Sequence, residues 1–145
     1  MTIPSKNHFK VRSNSPEATC KTACDLVTNL STPHAIFFKG DVGAGKTFFC
    51  KCIGKYYGIN NINSASYSMV SFSEGIINVI HCDFFRNTPN PNFFYEEIEP
   101  LLKMPWIAMI EWGDSSIWDL DCPKLEIEID LVKDSSRDLI FRQIS

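Results

Sequence analysis

The residues best suited to chemistry lie in one glycine-rich stretch, GDVGAGKT, at residues 40–47. It meets the pattern G-x-x-x-x-G-K-[ST], in which glycines let the backbone curl around an anion. The lysine then reaches the β- and γ-phosphates of a nucleotide, ATP or GTP, and the hydroxyl ligates Mg²⁺. The alternative is a glycine-rich turn that matches by chance. We predict a phosphate-binding loop comprising Gly40, Asp41, Val42, Gly43, Ala44, Gly45, Lys46, Thr47 and Phe48.

Two carboxylates each end an apolar run: Asp83 ends VIHCD and Glu111 ends IAMIE. If both runs are parallel strands, their carboxyl ends lie beside the phosphate loop. Asp83 is then placed to hold Mg²⁺, together with Thr47. Glu111 is placed either to join the metal ligands or to orient or deprotonate the attacking water. The alternatives are a helix or turn cap for Asp83 and a solvated strand end for Glu111.

A hydroxyl-rich stretch and two large side chains complete the candidates. The stretch could sense the γ-phosphate or the metal as a switch segment does, and a polar surface loop fits its spacing equally well: Ser64, Ser66, Tyr67 and Ser68. Trp112 follows Glu111 directly, although a lone tryptophan more often belongs to a core. Arg86 could reach a phosphate, but a surface salt bridge is the commoner fate of an isolated arginine.

The phosphate loop needs a strand before it and a helix after it. Residues 35–39 form an apolar run typical of a buried strand, and apolar residues then recur at helical spacing from Phe48 to Tyr56, up to Gly58. An earlier helix begins at Ser15-Pro16-Glu17 and continues to the break at residues 31–33. Both required elements are therefore predicted.

Further runs predict the rest of the sheet. Residues 93–103 predict a third helix, and residues 73–75 and 133–137 predict turns. Strands are predicted at residues 8–12, 67–72, 76–81, 106–110, 125–131 and 139–144. We therefore expect a single α/β domain over residues 1–145, a mixed sheet like that of P-loop nucleotide hydrolases with a parallel core, antiparallel hairpins and about three helices.

Composition narrows the class of protein. The 145 residues carry 14 basic and 17 acidic side chains, a net charge of −3, so the domain is not expected to wrap nucleic acid by itself. We find no apolar run of the length of a membrane span and no signal segment, and expect a soluble, cytoplasmic protein. We therefore predict that its six cysteines are free, buried thiols, and none has zinc-ligand spacing along the chain.

Four blocks together resemble the TsaE (YjeE) family of small bacterial ATPases. The family pattern runs G-D-L-G-A-G-K-T, S-P-T-Y-T-L-V, H-F-D-L-Y-R, and then an apolar strand that ends E-W. This chain has GDVGAGKT at 40–47, SASYSMV at 64–70, HCDFFR at 81–86 and IEW at 110–112. Their order, their intervals and the total length also match. The resemblance is specific in a way that the phosphate loop alone is not.

The resemblance implies that the chain uses ATP and Mg²⁺ and takes part in making threonylcarbamoyladenosine in tRNA. It implies docking on the TsaD–TsaB pair, with tRNA met only through that complex. ATP hydrolysis would be weak in the isolated chain and would reset the synthase between rounds. The choice of ATP over GTP rests on this resemblance, because the chain has no guanine-reading N-K-x-D run.

The resemblance also assigns roles to single residues. Lys46 matches the phosphate-loop lysine, while Thr47 and Asp83 match the metal-side residues. Glu111 and Trp112 match an acid and a tryptophan needed for hydrolysis or for the function of the complex. Ser66 and Tyr67 fall on the family's switch threonine and tyrosine, and Arg137 falls on a C-terminal arginine.

The chain also departs from the family pattern. Ala65 replaces a proline, and Ser66 and Ser68 replace threonines, which puts the behaviour of the switch loop in question. Cys82 and two phenylalanines at 84–85 keep apolar character without identity.

Two other functions fit the phosphate loop. A small-molecule kinase would usually carry an arginine-rich lid, and residues 113–124 contain no arginine. A non-catalytic nucleotide-binding module would have no need for the lysine, threonine and two carboxylates together. No arginine finger is evident near the site, which agrees with weak hydrolysis by the isolated chain.

Overall fold

The computed structural model describes residues 8–62, 69–85, 89–114, 120–133 and 135–144. These residues form seven strands and two α-helices, with a short helical segment before the fifth strand. The bounds are β1 His8–Ser13, α1 Pro16–Thr28, β2 His34–Lys39, α2 Lys46–Tyr56, β3 Val70–Ser73, β4 Asn78–Asp83, β5 Trp106–Glu111, β6 Lys124–Lys133 and β7 Ser136–Ile144.

All seven strands join in one mixed sheet, in the order β1-β7-β6-β2-β5-β4-β3. The four central strands β6, β2, β5 and β4 are parallel, whereas β3, β7 and β1 are antiparallel to their neighbours. The predicted α/β fold with a parallel core and antiparallel hairpins is confirmed. Within the described residues, no helix has both the length and the apolar character needed to cross a membrane.

The parallel strands bring the predicted site residues to one edge of the sheet. Glu111, the last residue of β5, pairs in register with Phe38 near the end of β2 and with Asp83 at the end of β4. The loop after β2 leads directly into α2. The carboxyl ends of three neighbouring strands therefore meet beside that loop.

Both faces of the central strands are covered, so these strands are nearly continuous apolar runs. Ile36 and Phe38 of β2 belong to a core cluster with buried side chains of both helices, including Leu26 and Phe49. The alternate strand residues belong to a second cluster with the helical segment at residues 94–101. The sheet is thereby fixed between two apolar layers.

Several predicted boundaries are wrong. The described part of the strand predicted at 67–72 runs from Val70 to Ser73. The next strand starts at Asn78 because Ile76, 94% exposed, lies in the turn instead. The turn expected at 133–137 is also shorter, since β6 continues to Lys133 and β7 begins at Ser136.

The third predicted helix is not a regular α-helix. Residues 94–98 form one π-helical turn and residues 99–101 one 3₁₀ turn. Pro100 has no N–H to donate to a continuing helix, which accounts for the early end. In α2, Phe48 and Tyr56 were expected on the apolar face but are about half exposed.

All six cysteines are free, as predicted. Burial was predicted for all of them and is correct for Cys50, Cys52 and Cys82 only. The other three are half-buried: Cys20 and Cys24 lie on α1, and Cys122 lies just before β6.

Candidate functional site

The loop between β2 and α2 depends on glycine at defined positions. Gly40, Gly43 and Gly45 have φ angles of +145°, +82° and +116°, which L side chains rarely adopt. A Cβ atom on Gly40 would also lie 2.5 Å from the carbonyl oxygen of Ile129. The backbone therefore curls tightly before α2. Gly45, at the N-cap position of α2, has no side chain to cap the helix.

Lys46 is buried at the start of α2, and its ammonium group is held by the loop. Nζ donates hydrogen bonds to the carbonyl oxygens of Gly40 at 2.5 Å and Asp41 at 2.9 Å. Burial lowers the pKa of Lys46, and the nearby carboxylates of Glu111 and Asp83 act in the opposite direction. The positive charge is thus concentrated at the point where the loop meets the helix.

Glu111 is a buried carboxylate with both oxygens engaged. It is 2% exposed; Oε1 accepts a hydrogen bond from the Thr47 hydroxyl at 2.8 Å. Oε2 lies 2.6 Å from Nε2 of His81 on β4. Glu111 is therefore not a solvated strand end. It connects the first turn of α2 to two strands of the sheet.

Asp83 is half-buried at the end of β4. Its Oδ1 accepts a hydrogen bond from the backbone N–H of Phe85 at 3.0 Å, which is the contact of a turn cap. Asp83 also lines the same cavity as Lys46 and Thr47. Asp83 therefore caps a turn and also lies beside the phosphate loop.

Trp112 lies outside the core, contrary to the usual fate of a tryptophan. It has a positive φ of 60° and is 41% exposed. Its ring centre lies 4.3 Å from Nζ of Lys46, within cation–π range. The ring also packs against Phe85 at a centroid distance of 5.0 Å. The left-handed backbone turns this ring over the lysine.

These side chains line one cavity of about 520 Å³, a size typical of small-molecule sites. The cavity contains nine residues of the predicted site: Val42, Gly43, Gly45, Lys46, Thr47, Phe48, Asp83, Glu111 and Trp112. The loop also borders a second groove, of about 750 Å³, which three other predicted residues line: Gly40, Asp41 and Ala44. The switch-loop candidates at 64–68 and Arg86 lie outside the described residues.

Arg137 lies at the phosphate loop, a position that neither composition nor spacing along the chain indicated. Its Nε donates a hydrogen bond to the carbonyl oxygen of Ala44 at 2.6 Å, and its side chain lines the cavity. Arg137 lies on β7, the fifth strand after the loop in sequence, but only two strands from β2 in the sheet. Only the C-terminal arginine of the family resemblance pointed to it. Pro16 and Thr19 of α1 also line the cavity and were not predicted.

A second set of side chains was missed because it is assembled from three elements. Cys50 on α2 and His81 on β4 gather at Glu111, with one potential ligand atom of each residue within 4.8 Å of the other two. All three side chains are buried, and burial raises the pKa of the Cys50 thiol well above its ordinary value. The only signal in the sequence was that His81 opens the block HCDFFR. Spacing along the chain could not reveal Cys50.

Comparison with known proteins places the chain in a family. The family model described as "Threonylcarbamoyl adenosine biosynthesis protein TsaE" matches residues 13–140. A Rickettsia bellii (strain RML369-C) protein named "tRNA threonylcarbamoyladenosine biosynthesis protein TsaE" is 30% identical over 128 residues, which cover 86% of this chain and 88% of that protein. A Bacillus subtilis (strain 168) protein of the same name is 25% identical over 139 residues, 94% of this chain and 86% of that one.

A solved structure agrees with this placement at the level of the fold. The crystal structure of Bacillus subtilis YdiB superposes with a TM-score of 0.69, covering 95% of this chain and 86% of that chain at 23% identity. The family model and the curated relatives each extend over most of the chain, including the loop, both carboxylates and Trp112. The chain therefore belongs to the TsaE family.

Proposed function

We propose that this chain binds Mg²⁺–ATP at the phosphate loop and hydrolyses it in support of threonylcarbamoyladenosine synthesis on tRNA. Family membership supports the biosynthetic role. The observation that carries the proposed chemistry is one cavity that holds Lys46, Thr47, Asp83 and Glu111 together. A nucleotide-binding turn without chemistry would not need two carboxylates beside the lysine.

Two features of the loop support a phosphate ligand. Among the described residues, Lys46 donates its hydrogen bonds to neutral carbonyl groups rather than to a carboxylate. Its charge is therefore available to an anion. The N-terminus of α2 adds a partial positive charge and lacks a capping side chain at Gly45. Both features favour a phosphate group at this end of the helix.

The oxygen donors beside the loop fit Mg²⁺. The hydroxyl of Thr47 and the carboxylate of Asp83 would hold the ion, since Mg²⁺ prefers oxygen ligands and keeps several waters. When bound, the ion neutralises charge on the β- and γ-phosphate oxygens. Both donors line the same cavity as Lys46.

Glu111 is better placed to orient the attacking water than to bind Mg²⁺. Both of its oxygens already accept or share a hydrogen bond, which fixes the carboxylate in place. Each oxygen keeps a second lone pair, so Glu111 can also accept a hydrogen bond from water. We assign it the role of orienting the attacking water, while its bond to Thr47 orients that hydroxyl.

Trp112 and Arg137 line the cavity beside the proposed phosphate position, each from a different element. The exposed ring of Trp112 lies over Lys46 and limits the access of bulk water. Arg137 already touches the loop through the Ala44 carbonyl, and its charge adds to that of the lysine. We infer that both strengthen electrostatic stabilisation in a partly dehydrated site.

The first test measures ATP hydrolysis by the chain alone, with TsaD, with TsaB, and with the pair. We expect slow hydrolysis alone and stimulation only by the pair, with tRNA met through that complex. Lys46→Ala removes the phosphate ligand, and Glu111→Gln removes the negative charge at the water. Each should lower the rate by about a hundredfold or more. Lys51→Ala, an exposed lysine on the same helix, is the matched control.

Three outcomes would change the proposal. Full hydrolysis by the Glu111→Gln variant would remove Glu111 from the reaction. Transfer of phosphate to a small acceptor in a metabolite screen would favour a kinase. Binding of ATP without hydrolysis, even with both partners present, would favour a non-catalytic nucleotide-binding module.

A further inference from the structure

The buried side chains beneath α2 include two, Cys50 and His81, to which the proposed ATP hydrolysis gives no role, and both lie beside Glu111. Cys50 Sγ, His81 Nε2 and a Glu111 carboxylate oxygen come from α2, β4 and β5, and all lie within 4.8 Å of one another. Neither Cys50 nor His81 has a part in holding phosphates. The three residues are between 0% and 4% exposed, so the group is buried, and Glu111 connects it to the cavity. We call these three residues the Cys50 cluster.

We propose that the Cys50 cluster binds a thiophilic divalent cation of the Zn²⁺ class, at a site separate from the Mg²⁺ donors Thr47 and Asp83. Thiolate, imidazole and carboxylate are the three ligand types that zinc uses in proteins. Mg²⁺ selects oxygen ligands and has little affinity for sulfur. The chemistry of the donors therefore separates the two sites.

The geometry requires only local movement. Ligand atoms around a tetrahedral zinc ion are about 3.5 Å apart, which lies inside the 4.8 Å that bounds the cluster. The 2.6 Å contact between His81 and Glu111 has to open to admit the ion. Three protein ligands leave a fourth position for water, as in zinc sites that are not fully closed.

Binding of the cation releases one proton and replaces one hydrogen bond. The Cys50 thiol loses its proton to solvent and becomes the thiolate ligand. The proton that His81 Nε2 shares with Glu111 in the free protein moves to Nδ1 of the same ring, which leaves the Nε2 lone pair for the metal. Glu111 exchanges its hydrogen bond with His81 for a bond to the cation. Gain of a divalent ion and loss of one proton add one positive unit of charge to the site.

The shared carboxylate links this site to the proposed ATPase. A cation bound to one oxygen of Glu111 withdraws negative charge from the carboxylate that would accept a hydrogen bond from the attacking water, and whose other oxygen contacts Thr47. We therefore expect Zn²⁺ to inhibit hydrolysis. This consequence rests on the proposed function, whereas binding of the cation does not.

The test titrates the full chain with Co²⁺, which replaces Zn²⁺ and reports its ligands by absorption. We expect one Co²⁺ per chain, a near-ultraviolet band from thiolate-to-metal charge transfer, and displacement by Zn²⁺. Cys50→Ala should abolish that band and weaken binding at least about tenfold. Cys82→Ala is the matched control, because Cys82 is a fully buried thiol on β4 that belongs to the opposite core cluster.

Competing sites are separated by their own variants. Cys20, Cys24 and Cys52 lie beside one another where α1 meets α2. A band that survives Cys50→Ala and disappears in Cys24→Ala would place the cation there and overturn the proposal. Displacement of Co²⁺ by millimolar Mg²⁺, or the absence of any charge-transfer band, would also overturn it. If Cys50→Ala does not fold, Cys50→Ser replaces it with a side chain of similar size.

A further readout separates the two proposals. Zn²⁺ should inhibit ATP hydrolysis by the unmodified chain and leave Cys50→Ala unaffected. If hydrolysis is absent but the Co²⁺ spectrum has the expected form, the proposed function fails and the cation site stands. If hydrolysis is present without that spectrum, the cation site fails alone.

Discussion

The two α-helices begin in opposite ways. At α1, the hydroxyl of Ser15 accepts a hydrogen bond from the backbone N–H of Ala18 at 3.1 Å, Pro16 is the first helical residue, and Glu17 puts an acid in the first turn. At α2, Gly45 offers no capping side chain, the first turn holds no acid, and the first helical residue is Lys46. The start of α1 is capped by Ser15, and we call it the closed helix end. The start of α2 at Gly45 has no capping side chain, and we call it the open helix end.

The difference shows which helix end is arranged for stability and which for an anion. A capping side chain contributes about 1 kcal/mol, and an acid in the first turn about 0.3–1 kcal/mol. The start of α2 lacks both, and a cation in its first turn opposes the helix dipole. A phosphate group would supply the missing negative charge and hydrogen-bond acceptors. In the free protein, the start of α2 therefore lacks the stabilisation that a capping side chain and a first-turn acid would provide.

The largest expected effect comes from replacing Gly45 at the N-cap position of α2. Gly45→Ala places a Cβ at a φ of +116° and 3.3 Å from Nε of Arg137. The loop can relieve this strain only by leaving its curled form. We expect ATP affinity to fall by about a hundredfold or more, which is about 2.7 kcal/mol. Calorimetric titration with Mg²⁺–ATP measures it.

Gly58→Ala is the matched control for that change. Gly58 follows the other end of α2 with a φ of +79°, and an added Cβ would meet no atom within 4 Å. The left-handed backbone should cost about 1–2 kcal/mol of unfolding free energy and leave ATP affinity unchanged. Equal loss of affinity in both variants would mean that strain in α2, rather than the open end, controls binding.

A smaller effect comes from adding the missing acid. Phe48 lies in the first turn of α2, is 40% exposed and lines the cavity. Phe48→Glu should raise the unfolding free energy of the free protein by about 0.3–1 kcal/mol through the helix dipole. It should also weaken ATP binding by about tenfold, because the new carboxylate repels the phosphates. Urea unfolding measures the expected gain in stability, and calorimetric titration measures the expected loss of ATP affinity.

Phe48→Gln separates charge from the loss of the ring. It removes the same aromatic ring without adding a negative charge. We expect the difference between Glu and Gln to shrink at high salt, since screening acts on exposed charges. A matching loss of ATP affinity in both variants would show that the phenylalanine ring, not the open helix end, determines binding.

The local part of the site was predictable because its signals are contiguous. A strand, a glycine pattern and a helix follow one another in the chain, so the loop and Lys46 could be placed from the sequence. Asp83 and Glu111 could be placed because both end apolar runs, and parallel strands end at one edge of a sheet. No tertiary contact was needed beyond that rule.

The remaining parts depend on register and on long-range packing. Arg137 reaches the loop only because β7 pairs with β6 and β6 pairs with β2. Cys50 and His81 meet at Glu111 because α2 packs over β4 and β5, which spacing along the chain does not encode. The third helix is short and irregular because Pro100 lacks the N–H that a continuing helix needs. In each case a partner distant in sequence, or one imino acid, determines the outcome.

The smallest effect is expected at the closed helix end. Ser15→Ala removes the acceptor for the Ala18 N–H and should lower the unfolding free energy by about 1 kcal/mol. ATP affinity should not change, so saturating Mg²⁺–ATP should add the same stability to both proteins, about 2.7 kcal/mol at a hundred times Kd. Urea unfolding with and without the nucleotide measures both quantities.

Ser15→Asp keeps a capping oxygen and is the control for this change, with stability expected near that of the unmodified chain. The result also tests how separate the two helix ends are, because Pro16 and Thr19 of α1 line the same cavity as the loop. If Ser15→Ala weakens ATP binding while Ser15→Asp does not, the cap of α1 holds one wall of the nucleotide cavity. The cap of α1 would then support nucleotide binding at the start of α2. Stability could no longer be assigned to α1 alone and binding to α2 alone.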